Sequence, residues 1–81
     1  MILATVVARV WADRKVDQFH GTRMMACRAH GDDSLTVAID LVEAALGARV
    51  LIVTDQAATD LAGCPTDAAI VALVADTDPL D

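Results

Sequence analysis

The sequence predicts an all-β fold, namely a small closed or nearly closed barrel of five strands with one or two short helical turns. Three observations lead to this fold class. Five segments are rich in β-branched and apolar residues, the turns between them are short, and the length of 81 residues suffices for one domain. We therefore expect a single domain over residues 1–81, in which the acidic tail at residues 76–81 is frayed.

The apolar patterns place the five predicted strands. They cover residues 2–12, 23–29, 35–40, 49–54 and 68–75. The first has a two-residue period and is apolar on both faces for most of its length. The fourth is nearly continuous in Val, Leu and Ile, so we expect it to be buried on both faces. In the second, Met25 and Cys27 share one face, and in the third we expect Leu35, Val37 and Ile39 to point inward.

Two segments between the strands carry helical signals. Residues 40–46, taken alone, have a helical pattern in which Asp40 is the N-cap and Glu43 completes a capping box. A strand-to-strand turn is the alternative for this segment, and the sequence leaves the choice open. Residues 55–61 are expected to hold one helical turn, which the Gly-Cys-Pro sequence at 63–65 ends.

Charge restricts the partners that the chain can have. It carries 12 acidic and 6 basic residues, a formal net charge of −6. This charge argues against the basic stripe that nucleic-acid binding requires and against docking on anionic lipid. No stretch approaches the ~20 apolar residues of a membrane span, and no signal peptide is visible. We therefore expect a cytoplasmic protein with neither nucleic acid nor membrane as a partner.

The apolar content predicts self-association. Hydrophobic residues make up 56% of the chain, although aromatic residues contribute only 2%. A domain of this size hides only about 60–65% of the surface that its unfolded chain exposes. An alanine-rich monomeric core is the simpler alternative. We favour instead the burial of apolar surface against further copies of the chain.

No residue pattern in the chain predicts catalysis or a cofactor, so we do not expect an enzyme. A nucleophile needs a base within hydrogen-bond reach, and no local motif supplies that arrangement. The best metal candidate pairs Cys27 with His30, joined by His20 and Cys64, because zinc takes these ligand types. The paired spacing of zinc sites is absent, however, and two buried apolar thiols are the more ordinary interpretation of the cysteines. We therefore expect no metal.

Two carboxylates are candidates for a structural role in turns. Asp40 and Asp67 each lie at the edge of a predicted strand. A carboxylate at such a position can accept hydrogen bonds from backbone N–H groups, and this role is far more common there than general acid–base catalysis. We therefore predict that both residues are structural.

Several motifs follow one another at characteristic spacing along nearly the whole chain. They are Met1–Val10 followed by Asp13-Arg14-Lys15, Phe19-His20-Gly21 ahead of Met24-Met25, Val37-Ala38-Ile39-Asp40, Gly47-Ala48-Arg49 leading into Val50–Val53, and Asp67–Val74 before Ala75-Asp76. In this order they resemble the EutN/CcmL family of bacterial microcompartment vertex proteins. The resemblance implies an OB-like five-stranded barrel.

The resemblance also implies a function. Family members form homopentamers that cap the five-fold vertices of a polyhedral protein shell, next to hexameric shell proteins. It therefore implies a structural shell protein located in a bacterial microcompartment of the cytoplasm. Asp55, Gln56 and Ala57 occupy the family's loop after the fourth strand and are expected to flank the five-fold axis. The alternative is an OB-like barrel that binds a small ligand or single-stranded nucleic acid.

The chain departs from the family pattern at three places where the family has glycine. Ala8 replaces a glycine of the first strand, Glu43-Ala44-Ala45 replaces Gly-Ala-Gly, and Asp55–Thr59 replaces Gly-Ser-Ser-Ala-Arg. Loss of glycine favours helix at residues 40–46. The family builds the surroundings of its central pore partly from such loops. The resemblance therefore implies that the pore of this protein is more acidic and differently shaped.

Overall fold

The computed structural model describes residues 1–77, which form a closed five-stranded barrel with the strand order β1-β2-β3-β5-β4. The strands are Ile2–Val10 (β1), Met24–Ala29 (β2), Leu35–Asp40 (β3), Arg49–Thr54 (β4) and Ala68–Leu73 (β5). One α-helix, Asp55–Ala62 (α1), connects β4 to β5, and a short 3₁₀ turn covers Asp17–Phe19. The predicted all-β barrel is confirmed.

The long first strand closes the barrel. Residues 2–5 of β1 pair antiparallel with β4, and residues 4–10 pair antiparallel with β2. The register shifts between Val6 and Ala8, where a β-bulge lies. A bulge bends its strand and increases the local twist, which lets β1 pair with β4 on one side and β2 on the other. A parallel pairing between β3 and β5 completes the barrel.

The strand bounds agree with the prediction in the middle of the chain and differ at its ends. β3 and β4 have the predicted bounds, whereas β1 ends at Val10 and β5 at Leu73. Asp76 and Thr77 belong to no helix or strand, and residues 78–81 of the predicted tail lie outside the described residues.

The barrel interior is filled by side chains of contrasting size. Its largest fully buried residues are Met25, Ile52, Ile70, Val6, Val50 and Cys27, and alanines occupy the remaining space. Met25 and Cys27 therefore share the inward face, as predicted. Alternating large and small side chains suit the narrow interior of a small barrel, in which each buried Val, Ile or Met contributes about 1.5–3 kcal/mol.

The predicted inward face of β3 is wrong. Leu35 and Val37 are 59% and 49% exposed, whereas Ala38 is buried opposite Met25. Ile39 lies on the same face as Leu35 and Val37 and is buried, but it is not part of the cluster that fills the barrel. A small residue faces Met25 because the interior at that level is already occupied by the long methionine side chain. The larger apolar residues of β3 are consequently left on the outside of the barrel.

The two predicted helical segments have different outcomes. Residues 41–46 form bends and a turn, so the choice that the sequence left open at residues 40–46 falls to the turn. A helix is excluded there because Glu43 has a positive φ of 56°, which breaks the right-handed path. After β4 the helical turn is confirmed and extends to eight residues, ending at Gly63 with φ 70°. Within the described part of the chain, no helix has the length and apolarity to cross a membrane.

Candidate assembly surface

The outer face of β4 and β5 is covered by the chain's own helix. Val53 on β4, Ala69 on β5 and Ala58 on α1 form a second apolar cluster outside the barrel. Ala62 and Val71 pack against it. The helix presents Ala58 and Ala62, four residues apart and therefore on one side, so it can approach the sheet closely. This face is thus internal to the folded chain.

The outer face of β2 and β3 carries apolar residues that nothing within residues 1–77 covers. We call it the open face and define it by Ala26 and Arg28 on β2 and Leu35 and Val37 on β3. Ala26 pairs with Val37, and Arg28 pairs with Leu35. Leu35 and Val37 remain about half exposed. Adjacent exposed apolar side chains on the outside of a sheet are typical of a protein–protein contact.

Asp40 anchors the end of β3 that leads out of this face. Its carboxylate, which is fully buried, accepts the N–H of Val42 at 3.0 Å and the N–H of Ala44 at 2.8 Å. The guanidinium of Arg23 lies 3.7 Å from the same carboxylate and donates to the carbonyl of Ala44 at 3.3 Å. The carboxylate therefore fixes the turn after β3 through backbone groups. A buried charge is tolerated here because several donors surround it.

Asp67 makes its contact through the backbone. Its carbonyl accepts the N–H of Asp55 at 3.0 Å, which joins the start of α1 to the segment before β5. No hydrogen bond of the Asp67 carboxylate is found among residues 1–77. Asp67 thus resembles Asp40 in its position at a strand edge, while the atoms that it uses differ.

Asp55, Gln56 and Ala57 are exposed at the first turn of α1. The amide of Gln56 donates to the carboxylate of Asp60 at 2.9 Å, one helical turn further on. The structure contains a single chain and therefore no five-fold axis, so these are the contacts of the three residues within one chain.

Two of the three departures from the family's glycines keep a glycine-like backbone. Glu43 has φ 56° and Asp55 has φ 59°, both in the left-handed region. This conformation costs a non-glycine residue about 1–2 kcal/mol, and aspartate tolerates it better than glutamate. Ala8 differs, since it lies beside the β1 bulge without a positive φ. The fold therefore retains the turn shape after losing the residue that suits it best.

The residues of the metal candidate are separated by the fold. Cys27 is fully buried in the barrel, whereas His30 is exposed and its Nε2 lies 2.7 Å from the hydroxyl of Thr5. His20 is exposed in a loop, and Cys64 is buried near the end of α1. Among residues 1–77, no three His, Cys, Asp or Glu side chains come together as metal ligands. Burial raises the pKa of the Cys27 thiol, and Asp40 raises it further.

Sequence reasoning did not identify two exposed features. The open face was missed because Leu35 and Val37 were assigned to the interior. The second feature is Trp11, which is 75% exposed just after β1, with the guanidinium carbon of Arg9 lying 3.8 Å from its ring centroid. The signal available in the sequence was a single tryptophan in a chain almost without aromatic residues.

Comparison with known proteins identifies the family. The sequence profile described as "Ethanolamine utilisation protein EutN/carboxysome" matches residues 1–75. Comparison with curated protein sequences gives no match.

Three solved structures illustrate the similarity of fold. The GrpN pentameric microcompartment shell protein from Rhodospirillum rubrum has a TM-score of 0.90 at 24% identity, over 99% of this chain and 100% of that one. The pentameric shell protein MSM0273 from the RMM microcompartment has a TM-score of 0.87 at 26% identity, over 99% and 100%. CcmL from Nostoc sp. PCC 7120 has a TM-score of 0.81 at 30% identity, over 91% and 88%.

The family profile spans almost the whole of the described chain, and the barrel has the same fold as these structures. The resemblance that the motifs indicated is therefore confirmed. This chain belongs to the EutN/CcmL family.

Proposed function

We propose that the chain is a structural subunit of a bacterial microcompartment shell, which assembles into homopentamers and closes the five-fold vertices. The observation that carries this proposal is the family match over residues 1–75, together with pentameric shell proteins that share the fold over 99% of the chain. The subunit works in the cytoplasm by occupying space and making contacts, and it is not an enzyme. Its neighbours in the shell are hexameric shell proteins.

The open face supplies a surface for assembly. A ring with cyclic symmetry is built from head-to-tail contacts, in which one patch of each subunit meets a different patch of the next. Leu35 and Val37 are apolar, adjacent and about half exposed in the single chain. Burying them in a ring removes apolar area from water at about 25 cal/mol per Å². The pentamer thereby acquires apolar contacts that one small barrel lacks.

Charge acts against this assembly and keeps the assembled ring soluble. Five copies carry five times the formal charge of −6 of one chain. Repulsion between exposed charges is screened by salt over a Debye length of about 8 Å at physiological ionic strength. We therefore expect the pentamer to be more stable at moderate salt than at very low salt. Salt screens the repulsion between the acidic subunits and does not weaken their apolar contacts.

We place Asp55, Gln56 and Ala57 beside the five-fold axis of this pentamer. Their exposure at the first turn of α1 and the left-handed φ of Asp55, which preserves the family's loop shape, support this placement. A cysteine introduced at Ala57 should then form disulfides between neighbouring subunits under mild oxidation. The native Cys27 and Cys64 are both buried and provide the unmodified background. Failure of cross-linking in a ring of confirmed mass would contradict the placement.

The shell function is tested by co-expression with hexameric shell proteins. A fluorescent or electron-dense tag attached to the chain should appear at the corners of the resulting polyhedral particles. A tag spread over the flat facets, or absent from particles that still close, would overturn the vertex function. The Val37→Asp variant serves as the control, because it is expected to fold without forming the ring and should be absent from the corners.

A further inference from the structure

Trp11 and Arg9 form an exposed pair at the end of β1. Trp11 is the single tryptophan of the chain and is 75% exposed, and the guanidinium carbon of Arg9 lies 3.8 Å from its ring centroid. A cation held over an indole ring is a favourable interaction that orients both side chains. The largest aromatic side chain of the protein is therefore pre-positioned outside the fold.

The packing of residues 1–77 gives no reason for the exposed position of Trp11. Trp11 belongs neither to the barrel interior nor to the cluster under α1. Burying a tryptophan would yield more apolar stabilisation than any residue in either cluster, because indole has the larger surface. Tryptophan and arginine are also the residue types most enriched where protein contacts are strongest. These observations point to a protein partner.

Charge indicates which protein that partner is. Residues 9–20 contain three basic and two acidic side chains, a net charge of +1, whereas the rest of the chain contains three basic and ten acidic ones, a net charge of −7. The Trp11 end is thus the basic part of an acidic molecule. A second copy of the chain offers it a surface of the opposite sign.

The exposed side of α1 has the chemistry that would complement this end. Ala57 and Leu61 lie four residues apart, and Leu61 is 60% exposed. Gln56 and Asp60 lie beside them and are joined by a hydrogen bond of 2.9 Å. Residues four apart share one side of a helix, so α1 presents an apolar strip next to a fixed carboxylate. No basic residue occurs within α1.

We propose that Trp11 and Arg9 of one subunit pack against the exposed side of α1, at Leu61 and Asp60, of the next subunit in the ring. This inference rests on the proposed pentamer and assigns one of its contacts. Trp11 covers the apolar strip, while the guanidinium of Arg9 faces the carboxylate of Asp60. The contact joins two different patches, as head-to-tail closure requires.

The fluorescence of Trp11 tests whether this side chain becomes covered in the ring. Because it is the single tryptophan, the emission spectrum and acrylamide quenching of the unmodified protein describe Trp11 alone. In a pentamer whose mass is established by native mass spectrometry, we expect blue-shifted emission and quenching several-fold weaker than in the urea-unfolded chain. A pentamer in which Trp11 is quenched as strongly as in the unfolded chain would overturn the inference and leave the proposed function intact. A monomer would overturn both.

Substitution of Trp11 measures the strength of the contact. Trp11→Ala should raise the protein concentration at which half of the rings dissociate by about tenfold or more, the effect of removing a central interface residue. Trp11→Phe keeps a ring that Arg9 can cover and should have a smaller effect. Because Trp11 is exposed in the single chain, both variants should show the circular dichroism spectrum of the folded barrel. Unchanged dissociation of Trp11→Ala would contradict the contact.

Exchanging the charges of Arg9 and Asp60 tests whether these two side chains face each other in the ring. Asp60→Lys and Arg9→Glu should each weaken the ring, whereas the double variant should restore part of the loss because the opposite charges face each other again. Asp76→Lys changes the net charge equally at an exposed position outside the helix and serves as the matched control. Equal effects of Asp60→Lys and Asp76→Lys, or no recovery in the double variant, would overturn the assignment of α1 as the surface that Trp11 and Arg9 contact.

Discussion

The two outer faces of the barrel differ in what covers them. The face of β4 and β5 is covered by α1, which contributes Ala58 and packs on Val53 and Ala69. The open face of β2 and β3 has no such cover in the described part of the chain, and Leu35 and Val37 are exposed there. Both faces are apolar, but one is completed within the chain, and we propose that a neighbouring subunit covers the other.

The residue sizes on the two faces suit these different partners. The covered face uses alanine at Ala58, Ala62 and Ala69, which lets a helix of the same chain pack closely on the strands. The open face carries leucine and valine, which project further from the sheet and offer more area to a partner. If the open face is the assembly surface, as we propose, stability and assembly depend on different residues, and substitutions on the two faces should have separable effects.

The largest effect on folding is expected on the covered face. Ala58 is fully buried, so Ala58→Asp places an unpaired carboxylate between α1 and the strands. The expected loss in the free energy of unfolding is about 3–5 kcal/mol, measured by urea denaturation. Ala75→Asp makes the same change at an exposed position outside α1 and both of these faces, and should change stability by less than about 0.5 kcal/mol. Similar losses in both variants would contradict the packing of α1 on the strands.

The second-largest effect is expected on the open face and concerns assembly. Val37→Asp should dissociate the ring, because each interface would bury an unpaired carboxylate at a cost of about 2–4 kcal/mol. Val37 is 49% exposed in the single chain, so the variant should remain folded by circular dichroism. Val37→Thr, which keeps the shape, should dissociate less. A Val37→Asp variant that still forms the ring at nanomolar concentration would place the assembly surface elsewhere.

A smaller effect is expected where the open face ends, at Asp40. Asp40→Asn replaces one acceptor oxygen with an NH₂ group beside the donors of Val42, Ala44 and Arg23. We expect a loss of about 2 kcal/mol in the free energy of unfolding, measured by urea denaturation. Arg23→Gln should cost less, because Arg23 is partly exposed and 3.7 Å from the carboxylate. The reverse order would show that the ion pair, rather than the backbone hydrogen bonds, secures the turn.

The smallest effect is expected in the turn after β3. Glu43→Gly removes the cost of a left-handed φ from a side chain that is exposed. After allowing for the greater flexibility of glycine in the unfolded chain, we expect a gain in stability of up to about 1 kcal/mol. Ala45→Gly, at a position without a positive φ, should be neutral or destabilising. Destabilisation by Glu43→Gly would indicate a contact of Glu43 that is absent from the single chain.

The sequence predicted the barrel because strand periodicity and turn residues are local signals. The bounds of β3 and β4 and the helical turn after β4 followed from such signals. The open face did not, because alternation shows that β3 has two faces without showing which one points inward. The size of Met25 on the neighbouring strand decides that question. The sequence likewise left the turn after β3 undecided, since the Asp40 carboxylate caps backbone groups in a turn as readily as in a helix.

The placement of residues at the five-fold axis depends on other subunits, which no property of a single strand or turn specifies. Asp55 illustrates this limit. Its left-handed φ and its hydrogen bond to Asp67 are fixed within the chain, whereas its neighbours across a ring are set by the symmetry of assembly.

Native mass spectrometry of the purified protein, across a range of protein concentrations, is the decisive test of the proposed pentamer. We expect a dominant species with five times the 8.5 kDa mass of one chain, which dissociates when Val37 is replaced by aspartate. A stable monomer at micromolar concentration would contradict the claim that the open face is an assembly surface and that the chain is a pentameric vertex subunit.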